Sequence, residues 1–104
     1  MTAVQVSLDL GGVTDKAGLM DRCARALALP DWFGRNWDAL ADSLADRELW
    51  PGESAERGLL IVVRNWEAYA VARPGEWETA VEVFGQAAGA GAGLTVALAL
   101  GGSS

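Results

Sequence analysis

The sequence contains no histidine, so it lacks the side chain that most often serves as a general base or a metal ligand. Its single cysteine, Cys23, cannot form an internal disulfide and leaves no thiol cluster for zinc. The only glycine turn that resembles a nucleotide site, LGGVTD at residues 10–15, has no phosphate-binding lysine. We therefore predict a protein that is not an enzyme and that binds neither a cofactor nor a metal.

Long hydrophobic runs are also missing. No run approaches the roughly 18 to 20 residues that cross a bilayer, and the N-terminal MTAVQVSLDL lacks the basic and apolar segments of a signal peptide. We therefore expect a cytoplasmic protein without membrane contact. Its 104 residues, 51% of them hydrophobic, predict one domain over residues 1–101 and a short tail at 102–104.

Basic residues are few. The sequence has eight basic and 14 acidic residues, which gives a net charge of −6. The segment 31–56 holds seven acidic residues and two arginines, so nearly all of this charge lies in a quarter of the chain. An acidic surface repels nucleic acids and anionic lipids and attracts cationic surfaces. We expect a basic protein partner and no direct binding of nucleic acid.

Hydrophobic periodicity predicts alternating strands and helices. Residues 4–10 alternate apolar and polar side chains as in a half-buried strand, and LLIVV at 59–63 is typical of a central strand. The predicted elements in chain order are a strand at 4–10, a helix from Thr14 or Asp15 to about Leu27, a helix from the N-cap Asn36 to about Asp46, a polar loop at 47–57, a strand at 59–63, a helix at 66–72, a helix at 76–88 and a strand at 94–100.

This order predicts an α/β fold with two layers: a three-stranded parallel sheet in the order 1-2-3 and about four helices on one face. Cys23 is expected in the core. Pro74 and Gly75 are expected to break the chain before the last helix. Its core stripe is predicted as Trp77, Val81, Phe84 and Ala88.

The helix within LPDWFGRNWDALADSLAD, residues 29–46, carries aspartates one turn apart at 38, 42 and 46. They lie roughly opposite an apolar stripe of Trp37, Leu40, Ala41 and Leu44. Each such pair of like charges costs about 0.2 to 0.5 kcal/mol, so helix stability alone does not favour the pattern. The charges alone allow three interpretations: a solvated face, a site for a divalent cation, or an anionic surface that mimics phosphates and enters a basic pocket. The cation site lacks a glycine-turn loop that would supply further oxygens, in agreement with the prediction that no metal is bound.

The segment LPDWFGRNWDALADSL resembles the central motif of the barstar family of intracellular ribonuclease inhibitors. The family has a proline, two aromatic residues and a glycine, then asparagine, an apolar residue, Asp-Ala-Leu and a further aspartate. The resemblance extends more loosely over about residues 3–100, through VVRNW at 62–66 and AVEVF at 80–84. It implies the same two-layer fold and a function in which the motif helix and the preceding loop plug the active site of a ribonuclease.

The resemblance also implies individual roles. Asp42 would occupy the enzyme's phosphate site, Asp38 would support it and Trp32 would stack in the active-site mouth. For Gly34 and Asn36, direct contact and a purely structural turn and cap both remain open. Asp46 has no assigned role. The predicted partner-binding residues are Trp32, Gly34, Asn36, Asp38, Ala41, Asp42, Asp46 and Gln86.

The chain departs from the family pattern at three positions. Ala41 replaces a bulky aromatic residue, Arg35 replaces an acid, and Gln86 stands where barstar has a glutamate. We therefore predict an inhibitor of a related, secreted guanyl-specific microbial ribonuclease, bound as a 1:1 heterodimer. The alternative is an acidic interaction module or antitoxin whose basic target is not a ribonuclease.

Overall fold

A computed structural model describes residues 2–91 and 93–99. The elements in chain order are β1 (Val4–Asp9), α1 (Lys16–Ala26), α2 (Trp37–Ala45), a 3₁₀ turn (Arg47–Leu49), α3 (Ser54–Arg57), β2 (Leu59–Arg64), α4 (Glu67–Ala72), α5 (Pro74–Gly89) and β3 (Leu94–Leu98). The predicted domain end at residue 101 and the predicted tail at 102–104 lie outside the described residues. Among the helices of the described ranges, none is long and apolar enough to cross a membrane.

The three strands form a parallel sheet in the order β1-β2-β3, which confirms the predicted topology. Val4 is in register with Leu59, and Leu59 is in register with Leu94. The α/β class is also confirmed, and the short helix α3 adds one helix to the roughly four that were expected. β2 is therefore the central strand.

The helices cover one face of the sheet. On that face Leu8, Leu59, Ile61 and Val63 are buried together with the fully buried Cys23 of α1. The residues between them point to the opposite face, where Ser7 and Thr95 are among the exposed side chains. The period-2 pattern of the sequence thus corresponds to one buried and one open face.

A hydrogen-bonded corner joins the carboxyl ends of β1 and β2. Asp9 Oδ1 accepts hydrogen bonds from Asn65 Nδ2 at 2.9 Å and from the backbone N–H of Gly11 at 2.8 Å. These donors, Asn65 first, hold the pKa of the Asp9 carboxyl below its ordinary value of 3.8, because they favour the charged form. Asn65 itself has a φ of 55°, in the left-handed region that asparagine tolerates better than most residues.

The last long helix differs from its prediction in two respects. α5 begins at Pro74 and is not interrupted there, because proline at the first helical position lacks only an N–H that has no intrahelical partner. Its buried residues are Ala80, Phe84 and Ala87, while Val81 is 42% exposed. The predicted stripe is therefore confirmed at Phe84, and Trp77 packs partly buried against the core, but the prediction was wrong for Val81. Ala80 and Ala87, two small residues with a weak hydrophobic signal, are buried beside Phe84.

The segment predicted as a polar loop at 47–57 contains two helical turns and a buried anchor. Trp50 is buried, and its Nε1–H donates to the carbonyl of Leu44 at 3.1 Å. The guanidinium of Arg47 donates through Nε, at 3.0 Å, and through Nη2 to the carbonyl of Ala55. These bonds fold the segment back onto the end of α2.

Aromatic residues of α4, α5 and the N-cap of α4 form a packed cluster. The rings of Trp66 and Trp77 are stacked with their centroids 5.1 Å apart, and the indole N–H of Trp66 donates to the carbonyl of Ala99 at 2.9 Å. Tyr69 is fully buried and donates its hydroxyl to Glu76 Oε1 at 3.1 Å. Tyr69 is therefore part of the core, and the two indoles are half-buried at its edge.

Candidate functional site

The loop before α2 separates two adjacent aromatic side chains. The backbone N–H of Phe33 donates to the carbonyl of Pro30 at 3.0 Å, which closes a tight turn. Phe33 is buried in the core, whereas Trp32 is 72% exposed. Arg35 follows in the left-handed region at a φ of 53°. The turn therefore anchors the loop through one aromatic residue and presents the other to solvent.

Asn36 joins this loop to the helix. Its Oδ1 accepts the backbone N–H of Ala39 at 2.7 Å, and its Nδ2 donates to the carbonyl of Gly34 at 3.3 Å. The predicted N-cap is thus confirmed. A Cβ on Gly34 would lie 3.3 Å from both Asn36 Nδ2 and Ala39 Cβ, so a side chain there would crowd the cap. Gly34 therefore has a packing reason to be glycine.

A surface groove of about 220 Å³ lies between this loop and α2. Exposed Trp32 and the backbone of Gly34 form one wall. Ala39, Asp42, Ser43 and Asp46 follow one face of α2 at helical spacing. The residues that line it, called here the anionic groove, are Trp32, Phe33, Gly34, Ala39, Asp42, Ser43, Asp46 and Leu49.

Asp46 connects α2 to the 3₁₀ turn. Its backbone N–H donates to the carbonyl of Ser43 at 3.3 Å, and its Oδ1 accepts the N–H of Glu48 at 3.0 Å. The same residue is therefore the C-cap of α2 and the N-cap of the turn. A carboxylate at the C-terminus of a helix is unfavourable, and this second bond compensates for it.

The arginines nearest in sequence bind groups outside the groove lining. Arg35 forms an ion pair with Asp21 at 3.4 Å, and Arg47 is hydrogen-bonded to Ala55 with its guanidinium 5.5 Å from the Trp50 ring. Across residues 2–91 and 93–99, no ion pair includes Asp42 or Asp46. The described residues also contain no group of three carboxylates or thiols that could hold a metal. The groove thus offers two unneutralised carboxylates beside an exposed indole.

Comparison with known families gives one decisive match: residues 3–100 fit the family model described as Barstar (barnase inhibitor). The chain belongs to the barstar family. This family consists of inhibitors, so the match supports a binding function and not a catalytic one. No curated protein gives a significant match to the chain.

The structure brings together four of the eight residues predicted from the barstar motif. Trp32, Gly34, Asp42 and Asp46 line the anionic groove, and Asn36 holds its loop wall in place. Asp38 and Ala41 lie on α2 outside the groove lining. Gln86 is exposed on α5, which packs against α2, but it does not line the groove either.

Four residues that line the groove were not among the predicted contacts, and one of them, Phe33, is the buried anchor of the loop. Ala39 and Ser43 share a helix face with Asp42 and Asp46 at i, i+3, i+4 and i+7, so a helical wheel centred between these aspartates would have identified them. Leu49 carries no such local signal, because only the 3₁₀ turn brings it to the groove.

Proposed function

We propose that this protein inhibits a secreted, guanyl-specific microbial ribonuclease by occluding its cationic active site with α2 and the preceding loop. The observation that carries the proposal is the anionic groove of a barstar-family chain, where two carboxylates lie beside Trp32 and form no ion pair with any residue that the structure describes. A ribonuclease must bind phosphodiester anions, so its cleft is basic. A carboxylate on a rigid helix presents similar charge without a bond to cleave.

In this proposal each part of the groove has a distinct role. Asp42 occupies the phosphate site of the enzyme and accepts hydrogen bonds from its cationic side chains. Asp46 contributes a second negative charge four residues further along the same face. Trp32, which is 72% exposed, contributes about 2 kcal/mol when its ring is buried against the mouth of the cleft. Asp38 supports the field from the first turn of the helix.

The remaining predicted contacts belong to the rim of the interface. Ala41 leaves space where the family carries a bulky aromatic residue, and Gln86 supplies a neutral amide where barstar has a glutamate. Both differences reduce contact or charge on the inhibitor side. We therefore propose a target whose cleft rim differs in shape from that of barnase, bound one to one in the cytoplasm of the producing cell.

Titration of a guanyl-specific ribonuclease with the purified protein tests the proposal. RNA cleavage should fall linearly and reach its minimum at a 1:1 ratio, as expected for stoichiometric occlusion. The association rate should decrease as salt rises, because the encounter depends on complementary charge. Full RNA cleavage at a tenfold excess, across several enzymes of this class, would contradict the proposed function. Binding to a basic protein that is not a ribonuclease would instead favour the interaction module or antitoxin.

Two variants with the same change of net charge sharpen this test. Asp42→Asn removes the groove carboxylate and should weaken the complex by about 2 to 5 kcal/mol, since it leaves buried cationic groups of the enzyme without a partner. Glu56→Gln removes an exposed charge on α3, outside the groove, and should change the binding free energy by less than about 1 kcal/mol. Equal effects of the two substitutions would show that only total charge matters.

A further inference from the structure

The outer edge of β3 is free in the described part of the chain. β3 pairs with β2 on one side, through the bonds from Leu59 N–H to the Gly93 carbonyl at 3.0 Å and from Ala99 N–H to the Val63 carbonyl at 2.9 Å. Because the backbone groups alternate in direction along a strand, the odd-numbered residues of β3 face β2. The N–H and C=O groups of Leu94, Val96 and Leu98 therefore point outward from the sheet.

Within Leu94–Leu98 this edge has no charged side chain, proline or bulge, features that often keep edge strands apart. Natural sheets protect their edges with lysine, proline, bulges or charged side chains. Here the last charged side chain of the sequence belongs to Glu82, so the 22 residues 83–104 contain no charged side chain and no proline. This end of the chain, which includes β3, is thus separate from the acidic segment at 31–56.

An apolar groove adjoins the same edge. It has a volume of about 220 Å³ and lies between α5 and β3. Val81 and Leu98 are 42% and 38% exposed at its border, and Gly85 leaves open space where a side chain would stand. The residues that line it, called here the β3 groove, are Val81, Phe84, Gly85, Ala88, Val96 and Leu98.

We propose that β3 pairs antiparallel with β3 of a second copy of this chain, so that two three-stranded sheets become one six-stranded sheet. With a twofold axis at Val96, Val96 lies opposite Val96 of the second copy and Leu94 lies opposite Leu98. All three residues direct their backbone groups outward, so each opposing pair can exchange two hydrogen bonds. A symmetric contact of this kind closes on itself and forms a dimer.

The side chains of β3 favour a second copy over an unrelated peptide. Leu94, Val96 and Leu98 all lie on the helix-covered face, in register with the buried residues of β2. In the proposed pairing, leucine meets leucine and valine meets valine on this face, and the two β3 grooves become continuous. Thr95 and Ala97 meet each other on the open face. The strand is therefore complementary to itself in one register.

The charge of the chain gives this contact a distinctive salt dependence. Two copies with a net charge of −6 each repel one another, while the contact itself contains no charged residue. Screening should therefore strengthen the dimer, whereas it weakens binding of a basic enzyme. No residue of the β3 groove lines the anionic groove, so the two associations use different surfaces and fail or succeed independently.

Sedimentation equilibrium of the full chain, from low micromolar to about 1 mM, tests the dimer. The average mass should rise from 10.9 kDa toward twice that value, and more steeply at high salt. Val81→Lys and Leu98→Lys should raise the dissociation constant at least about tenfold, because they place a charge in the covered groove. Ala97→Lys is the matched control: it adds the same charge to the same strand on the open face and should leave the dimer intact.

Hydrogen exchange distinguishes strand pairing from a contact between grooves alone. The amides of Val96 and Leu98 should become protected as concentration rises, while those of Thr95 and Ala97, already bonded to β2, should not change. Thermal unfolding of each variant verifies that it is folded. The proposal is overturned by a monomer at every concentration and salt level, by loss of the dimer in Ala97→Lys, or by a dimer in which Val96 and Leu98 gain no protection.

Discussion

Asn36 makes two hydrogen bonds, one that caps α2 and one that holds the preceding loop. Two substitutions can distinguish the effects of these bonds on stability and on binding. Asn36→Ala removes both the cap on Ala39 N–H and the bond to the Gly34 carbonyl. Asn36→Ser retains an oxygen that can cap the helix, since serine is as good an N-cap as asparagine, but it has no amide to reach Gly34. Neither substitution alters the charge of the surface, so the pair forms a matched set.

The expected magnitudes follow from the geometry of the two bonds. The cap is short, at 2.7 Å, and its loss should cost about 1 kcal/mol of the free energy of unfolding. The bond to Gly34 is exposed and 3.3 Å long, so its loss should cost about 0.5 kcal/mol at most. Asn36→Ala should therefore lower the Tm by about 4 to 8 °C, the usual response of a domain of roughly this size to 1 kcal/mol.

Urea and thermal unfolding of the three proteins, combined with titration of the enzyme, provide the assay. Asn36→Ser should unfold close to the wild type yet bind the enzyme more weakly, because the loop that carries Trp32 is no longer held to the helix. Asn36→Ala should lose both stability and affinity. If alanine and serine destabilise the fold equally, the cap is not the source of the stability assigned to it.

Two further predictions concern residues outside the groove. Asn65→Gly should raise the pKa of Asp9 toward its ordinary value, because it removes the hydrogen bond from the Asn65 amide. Glycine adopts the left-handed φ of this position without strain. The Asp9 carboxylate stabilises the fold above its unfolded pKa, near 4, and this stability is lost as the pH falls through the lowered folded pKa. The variant should therefore unfold more easily than the wild type above pH 4. This difference in stability should shrink in stronger acid. Cys23 is buried, and burial raises the pKa of its thiol to about 12. A thiol reagent should therefore modify the native protein far more slowly than the urea-unfolded protein. Equal rates of modification would contradict the buried position.

Much of the fold could be predicted because its signals are local. The alternation at residues 4–10, the apolar run at 59–63 and the caps Asp15 and Asn36 each specify an element from a few neighbouring side chains. The helix boundaries at these caps are therefore close to those expected. The parallel order follows from the helical connections between the strands.

The wrong predictions concern segments whose structure depends on contacts between residues distant in sequence. The exposure of Val81 in α5 was not predicted, because the small side chains of Ala80 and Ala87, which are buried instead, carry little hydrophobic signal. The turns at 47–57 depend on the Trp50 indole reaching back to Leu44 and on Arg47 reaching forward to Ala55. A polar composition alone suggested a loop, because it does not reveal which backbone groups those side chains will satisfy.

The candidate site was predictable in its chemistry but not in its shape. The sequence placed Asp38, Asp42 and Asp46 on one anionic stripe, and the motif favoured Asp42 with Asp38 as its support. In the structure it is Asp46 that shares the groove with Asp42, because the 3₁₀ turn after α2 brings Leu49 up as a wall. The proposed support for Asp42 therefore comes from Asp46 at the end of the helix as well as from Asp38 in its first turn.

The stacked indoles of Trp66 and Trp77 have an optical consequence. Two parallel chromophores 5.1 Å apart couple their electronic transitions, and this coupling depends on α4 and α5 staying together. Trp32 belongs to neither helix and is in contact with solvent, so its emission responds to what covers the groove. Circular dichroism and fluorescence of one sample can thus follow the integrity of the scaffold and the occupation of the groove as separate signals.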